Sequence, residues 1–497
     1  MSSLSLKAVL KGSFWVVLAT VVTRFAGFIA LPILARLLGP ADLGLYNLVQ
    51  NTVQTGDGLS RIGTDAAMHR NGAQYKTIGT QSVGRLFGVG ACLMIITGSF
   101  IAACLWIGRE TIAQNWLVEP KIESWLGLVA LTIVLTVIGN PSWFYLVALQ
   151  AFRTYSIRTS VVSILGAAIT LSLAWYFGLA GAIYSLAVIA FIQATWGWWL
   201  TLPILKEKGI KLRCDSFFSE SRSILGFGLP FYASNFLSSF IALPLLGYVS
   251  KTGGLEQIGY LRVAQSLSQF VSFLPTAIAP VIVSGLSASL TTDIKGYRQI
   301  KSLHLRCLWV LILITSVAIC FGLESLITTL FGSAYSQAIV LSRLTIWMAA
   351  ISSISGILSQ HVISLGKTRT IAVIQITGLI INVLVALLLI PLYSSVGLLL
   401  AQSVAAIFTL IAYVKPALAD IESEDKKHLW SLTGFSLTSI VVTLTLPIQI
   451  KYRWLMSAIS LLAIGLTAIS SFILAFNLEE RTTTLRTIKN KINAVKK

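Results

Sequence analysis

Charge is scarce in this chain: only 11% of its 497 residues are Asp, Glu, Lys or Arg, which excludes a water-soluble globular protein of this length. Cysteine is limited to Cys92, Cys104, Cys214, Cys307 and Cys320. No two of them form a Cys-x-x-Cys pair, so neither a metal cluster nor a disulfide framework is expected. A phosphate loop is missing too. Gly366-Lys367-Thr368 would need a glycine five residues before Gly366, where His361 stands, so direct use of ATP is not indicated. The alternating strands of about ten residues that mark a membrane β-barrel are absent from stretches such as 128–139 (LVALTIVLTVIG) and 386–393 (ALLLIPLY). The net charge is +19, but its basic residues punctuate apolar runs and form no patch with interleaved aromatics, so no nucleic-acid partner is expected.

What remains is apolar. Hydrophobic residues make up 56% of the chain and the mean hydropathy is +0.83. The expected fold is an all-α polytopic membrane protein. Spans are expected at 12–35, 42–65, 84–107, 122–148, 158–178, 180–204, 223–250, 256–286, 304–330, 339–365, 370–392, 395–415, 429–450 and 454–476, fourteen in all.

The first twelve spans read as a duplication. Phe28-Ile29-Ala30-Leu31-Pro32 recurs as Phe240-Ile241-Ala242-Leu243-Pro244, 212 residues on. Leu149, Arg153 and Thr154 match Leu365, Arg369 and Thr370, and Gly181 matches Gly397, at a spacing of 216. Six spans per repeat is an even number, so the two six-helix repeats enter the membrane in parallel orientation, and a C-terminal two-helix hairpin follows. The divisions are 1–210, 211–415, a linker at 416–428, the hairpin at 429–477 and a basic tail at 478–497. Most of the 37 lysines and arginines fall in one set of loops and tails, so both termini are expected in the cytoplasm. The longest external loop, near Arg109 to Lys121, leaves no room for an extramembrane catalytic domain. Two-fold repeated membrane proteins of this kind are transporters far more often than enzymes, because alternating access needs two bundles that move against each other.

Charges inside spans are costly, about 2.5–3.5 kcal/mol on insertion scales, and default to a cavity or a partner. Arg24 stands about twelve residues into the first span, roughly 18 Å deep. Two readings are open for it: substrate binding, or a pairing with Asp57 that holds two helices together. Asp57, Arg61, Asp65 and His69 are spaced by four and share one helix face. Asp57 and Arg61 read as a cavity wall; Asp65 and His69 read equally as a solvated helix end. Arg262 and Arg343 enter the eighth and tenth spans from the external side, and snorkelling is an equal alternative for Arg343. The candidate substrate-binding residues are therefore Arg24, Arg61, Arg262 and Arg343, with Asp57 and Asp65 as candidates for ion coupling. A cationic cavity suits an anionic substrate, since arginine holds phosphate by forked hydrogen bonds. Gly84-x-x-x-Gly88 reads as a helix-packing pattern, and Trp196, Trp198 and Trp199 as an interfacial anchor.

The stretch TRFAGFIALPILARLLGPADLGLYNL at 23–48, VALQAFRTY at 147–155, LSRLTIWM at 341–348 and ISLGKTRT at 363–370 resemble the polysaccharide transporter family. These are the Wzx-type lipid-linked oligosaccharide (O-antigen) flippases of the multidrug/oligosaccharidyl-lipid/polysaccharide exporter superfamily. The resemblance implies that superfamily's fold and no enzymatic activity. It also implies a substrate of sugars on undecaprenyl pyrophosphate, moved from the cytoplasmic to the outer leaflet of a bacterial plasma membrane. Partners would be the lipid-linked oligosaccharide, membrane lipids and polysaccharide polymerase machinery. No cofactor is expected beyond a proton or sodium gradient. Arg24 matches the first-span arginine of the related peptidoglycan-precursor flippase, whereas Phe236 departs from that relative's further basic positions. The alternatives are a drug/cation antiporter of the same superfamily, which should have an acidic cavity, and a membrane polymerase or ligase, which should have a large external loop.

Overall fold

A computed structural model describes residues 6–65, 67–68, 79–292, 294–365, 367–419, 421, 423–445 and 453–476. His69, Asp420, Glu422, the tail 478–497 and the side chain of Phe236 lie outside the described set. Among the described residues there is no strand, and the long helices are α1 Leu6–Arg61, α2 Thr80–Ile107, α3 Glu123–Ala148, α4 Phe152–Glu207, α5 Phe217–Gly253, α6 Leu255–Thr292, α7 Ile294–Leu330, α8 Ala338–Ser364, α9 Thr368–Leu418, α10 Ser423–Thr445 and α11 Arg453–Ala475. Helices of this kind keep every backbone polar group bonded within the segment, the condition for crossing lipid. Seven of them are long and apolar enough to cross a membrane by length and composition: α1, α2, α3, α4, α7, α8 and α9.

Three helices are broken at a single residue with positive φ: α1 at Gly39 (φ 74°, ψ 173°), α4 at Gly178 (φ 58°, ψ −136°) and α9 at Ser394 (φ 47°, ψ −120°). Each break turns one continuous helix into two segments. The breaks follow the duplication. Gly178 and Ser394 are 216 residues apart, and Gly39 is matched 215 residues on by Gly254 (φ 82°, ψ 168°), the glycine between α5 and α6. The bounds of α3 (Glu123–Ala148) recur in α8 (Ala338–Ser364) at the same spacings, and α4 and α9 begin 216 apart at Phe152 and Thr368. Structure thus repeats even where the residue changes.

The chain divides into two compact units, residues 1–262 with 390–395, and residues 263–389 with 396–497. In the first unit α4 packs along α1 and α3, and α2 packs against α3. Its core includes Phe87 stacked on Tyr145 (centroids 4.2 Å apart), whose hydroxyl donates to the Phe87 carbonyl at 2.5 Å. The indole of Trp198 faces this core, donating to Ile138 O at 2.8 Å, so only part of the tryptophan cluster is free to act as an anchor.

In the second unit α7 packs against α8, α10 and α11. Arg306 of α7 donates to the carbonyl of Ala475 at 2.9 Å and lies 3.4 Å from Asp425. Trp309 donates to Ser436 at 3.1 Å, and Trp347 of α8 donates to Thr443 at 2.8 Å. The terminal hairpin is therefore fastened to its unit by polar bonds inside an otherwise apolar interface. Arg158, Lys301 and Arg306, which stand within a few residues of the expected starts of their spans and count with the basic loops by charge, are buried in helices at 0%, 0% and 3% exposure.

Candidate functional site

The first unit has an open cavity of about 380 Å³ between α1, α3, α4 and the start of α6. From α1 it takes Thr23, Gly27, Ala30, Leu31 and Leu34, a face with helical spacing, then Tyr46, Gln50 and Gln54 beyond the break. Thr132 and Thr136 come from α3, and Ser163, Gly166, Thr170 and Gln193 from the two halves of α4. The walls carry hydroxyls and amides. Ser163 donates to Thr23 Oγ1 at 3.0 Å, and Thr170 and Ser185 hydroxyls lie 2.9 Å apart. These short polar side chains escape a search for charge because each bonds locally and costs little in a span.

Arg262 is the charged residue among those lining the cavity, and no acidic residue joins it. Its Nη2 donates to Gln50 Oε1 at 3.1 Å, while Nε is buried without a hydrogen-bond partner. A guanidinium with donors to spare in a chamber free of carboxylates is arranged to receive an anion.

The other sequence candidates are not brought to this cavity. Arg24 follows Thr23 on α1 and is half-buried, but it is not among the residues that line the cavity. Arg61 forms an ion pair with Asp57 one turn before it and lies over the Phe144 ring, 5.5 Å from its centroid. Asp57 also accepts from Asn140 Nδ2 of α3 at 2.5 Å. Asp57 is thus paired with Arg61, and Asn140 adds a link between α1 and α3. Asp65 is half-buried past the break at Ile62 (φ 40°) and Gly63 (φ 78°). Arg343 is in α8 of the second unit, half-buried, with Nε lacking a partner. Among the described residues no cluster of three or more His, Cys, Asp or Glu side chains could hold a metal ion.

One cation that sequence reading passed over is adjacent to the cavity. Arg158 lies on α4 five residues before Ser163, and its Nη2 donates at 2.8 Å to the backbone carbonyl of Gln193, whose residue lines the chamber. Its guanidinium stacks 4.0 Å from the Trp143 ring centroid. The absence of a side chain at Gly197 makes room for it, since a Cβ there would collide with Arg158 Nη2 and Ser142 Oγ.

The family model for polysaccharide biosynthesis protein matches residues 33–340, more than half of the chain. The chain belongs to that family. As a member of the polysaccharide biosynthesis protein family it shares its fold with solved transporters. The lipid II flippase MurJ in an inward closed conformation matches with a TM-score of 0.69 at 15% identity, over 91% of this chain and 96% of that one. An inward-facing multidrug resistance MATE family transporter of the MOP superfamily matches with a TM-score of 0.55 at 16% identity, over 85% and 96%. A MOP superfamily transporter from Pyrococcus furiosus, described as having a binding pocket of reversed polarity, matches at 0.57 and 17%, over 86% and 96%. No curated protein matches by sequence. At these identities the likeness establishes the fold of a multi-pass membrane transporter.

Proposed function

We propose that this member of the polysaccharide biosynthesis protein family is a flippase. It moves an oligosaccharide linked to undecaprenyl pyrophosphate from the cytoplasmic to the outer leaflet of a bacterial plasma membrane by alternating access, in the assembly of a cell-surface polysaccharide such as O-antigen. The observation that carries the reading is the composition of the cavity, one arginine with amides and hydroxyls set among aliphatic side chains and no carboxylate. Amides and hydroxyls match sugar hydroxyls, and the guanidinium matches a phosphate oxygen. Both termini face the cytoplasm in this reading, the lipid tail stays in the bilayer, and a polymerase receives the product outside. Arg262 is the leading phosphate ligand, with Arg24 and Arg343 as further candidates. Arg61 is secondary because Asp57 already engages it. Asp57 and Asp65 stand as candidates for coupling to a proton or sodium gradient.

Everted vesicles loaded with lipid-linked oligosaccharide test the reading. Arg262→Gln lowers the flipping rate at least tenfold, and an unchanged rate would overturn the assignment. The MATE-like fold also suits a drug/cation antiporter, but cation exchange requires an acidic cavity group that the chamber lacks. Export of cationic dyes by the purified protein in liposomes would favour that rival.

A further inference from the structure

Arg158, at the first position of the expected span 158–178, is a buried cation without a charged partner among the described residues. Arg158 is fully buried, and its Nε and Nη1 have no hydrogen-bond partner. Among the described residues no carboxylate forms an ion pair with it. Removing a guanidinium from water costs several kcal/mol unless it is paired and fully bonded. Stacking on Trp143 at 4.0 Å and one bond to the Gln193 carbonyl at 2.8 Å recover only part of that. A pure packing role would be served as well by an uncharged side chain. What an arginine adds here is a planar fork, held flat on an indole, with two N–H directions unspent.

Position strengthens the point. Gln193 offers its carbonyl to Arg158 while its residue lines the chamber, and Ser163, roughly 7.5 Å along α4 from Arg158, lines it too. Arg262 approaches from the opposite end. Gly259, one turn before it, packs against the backbone of Pro40 beside the Gly39 break, whereas Arg158 is roughly 30 Å along α4 from the Gly178 break. Arg262 thus lines the chamber at one end, and Arg158 lies behind its wall at the Gln193 end, with amides, hydroxyls and aliphatic side chains between.

We propose that Arg158 is a second phosphate-binding residue, an entry station at the Gln193 end of the chamber from which the phosphate passes to Arg262. The ligand chemistry is a phosphate oxyanion, either the pyrophosphate of a lipid-linked sugar or a free one. The inference deepens the flippase reading and rests on it for the identity of the lipid, but anion binding at Arg158 stands apart from it. On the topology proposed above, Arg158 is at the cytoplasmic end.

The test uses the whole protein in nanodiscs, titrated calorimetrically with polyprenyl pyrophosphate and, separately, inorganic pyrophosphate. Arg158→Gln weakens binding of the lipid at least tenfold, and Arg158→Lys, which keeps the charge but loses the fork, falls between. Wild-type affinity in Arg158→Gln combined with slower flipping would assign a purely structural role and overturn the proposal. A second measurement needs no variant. The unmodified chain is treated with phenylglyoxal and labelling of Arg158 is followed by mass spectrometry. Labelling that the lipid suppresses supports the proposal, and an Arg158 that is never labelled, or is labelled equally with and without either pyrophosphate, overturns it. Protection by inorganic pyrophosphate without any binding of the lipid would keep the anion station and sink the flippase reading instead.

Discussion

Asn140 Nδ2 on α3 donates to Asp57 Oδ1 on α1 at 2.5 Å, while the other carboxylate oxygen of Asp57 pairs with Arg61. One carboxylate thus holds a helix end, an arginine and a neighbouring helix together. Asp57→Ala strands both partners. Because the Arg61 side chain is 30% exposed and water can reach it, the expected loss is about 2 kcal/mol, below the range for a fully buried pair. A double-mutant cycle with Arg61→Ala gives a coupling energy of about 1 kcal/mol or more, measured by thermal unfolding in detergent. Additive losses would show that the pair contributes nothing.

Filling the chamber separates binding from folding. Gly166 lines the cavity, and a Cβ there meets nothing closer than Ile189 Cδ1 at 3.4 Å. Gly166→Leu is therefore expected to fold and to place its side chain in the ligand space. Flipping in everted vesicles should fall by an order of magnitude with the melting temperature within a few degrees of wild type. Full activity would mean that the substrate does not use this space.

Cys92 and Cys214 are both free, yet their sulfurs lie 3.1 Å apart across 122 residues of sequence. The loop that carries Cys214 lies on α2, where Arg213 N–H bonds Gly84 O at 3.1 Å and the backbone of Lys211 and Arg213 occupies the places a Cβ at Gly84 or Gly88 would take. Mild oxidation with copper phenanthroline should close a Cys92–Cys214 disulfide, seen as a loss of two titratable thiols without dimer on a gel. Gly84→Val should abolish the cross-link by lifting the loop, at a cost of about 1–3 kcal/mol. Unchanged cross-linking in that variant would refute the packing.

Gly178 and Ser394 occupy equivalent breaks, but only one is glycine. A serine at φ 47° carries strain of about 1–3 kcal/mol, offset in part by its 3.3 Å bond to Val249 O. Ser394→Gly should raise the unfolding temperature by a few degrees and Gly178→Ala should lower it. The reverse order would mean that the hydroxyl, not the backbone, holds the break.

The helices and the duplication were readable because apolar runs and repeated motifs are local signals. The broken helices at Gly39 and Gly178 were likewise foreseen as boundaries between spans. The site was only half legible. Arg262 could be picked out as a charge in a span, and it does line the chamber. Arg24, chosen by the same rule, is half-buried and not among the lining residues, and which charge in a span reaches a cavity is not fixed by hydropathy. Arg158 was hidden because an arginine at the first position of an expected span reads as a cation of the preceding loop; nothing local reveals Trp143 or Gly197 beside it. Thr132, Thr136, Ser163 and Gln193 carry no charge and so gave no signal. The Gly84-x-x-x-Gly88 pattern does mark a close approach, but of loop backbone and not of a helix.

The grip of Arg306 on Ala475 spans 169 residues. During synthesis at about 5–20 residues per second, α7 is complete roughly 7–29 seconds before that acceptor is added. Until then one of the partners that let this arginine lie inside its unit does not exist. The order of manufacture therefore makes α11 a timing element, and a chain cut short before it would leave Arg306 with Asp425 of α10 but without the backbone acceptor that completes its bonding.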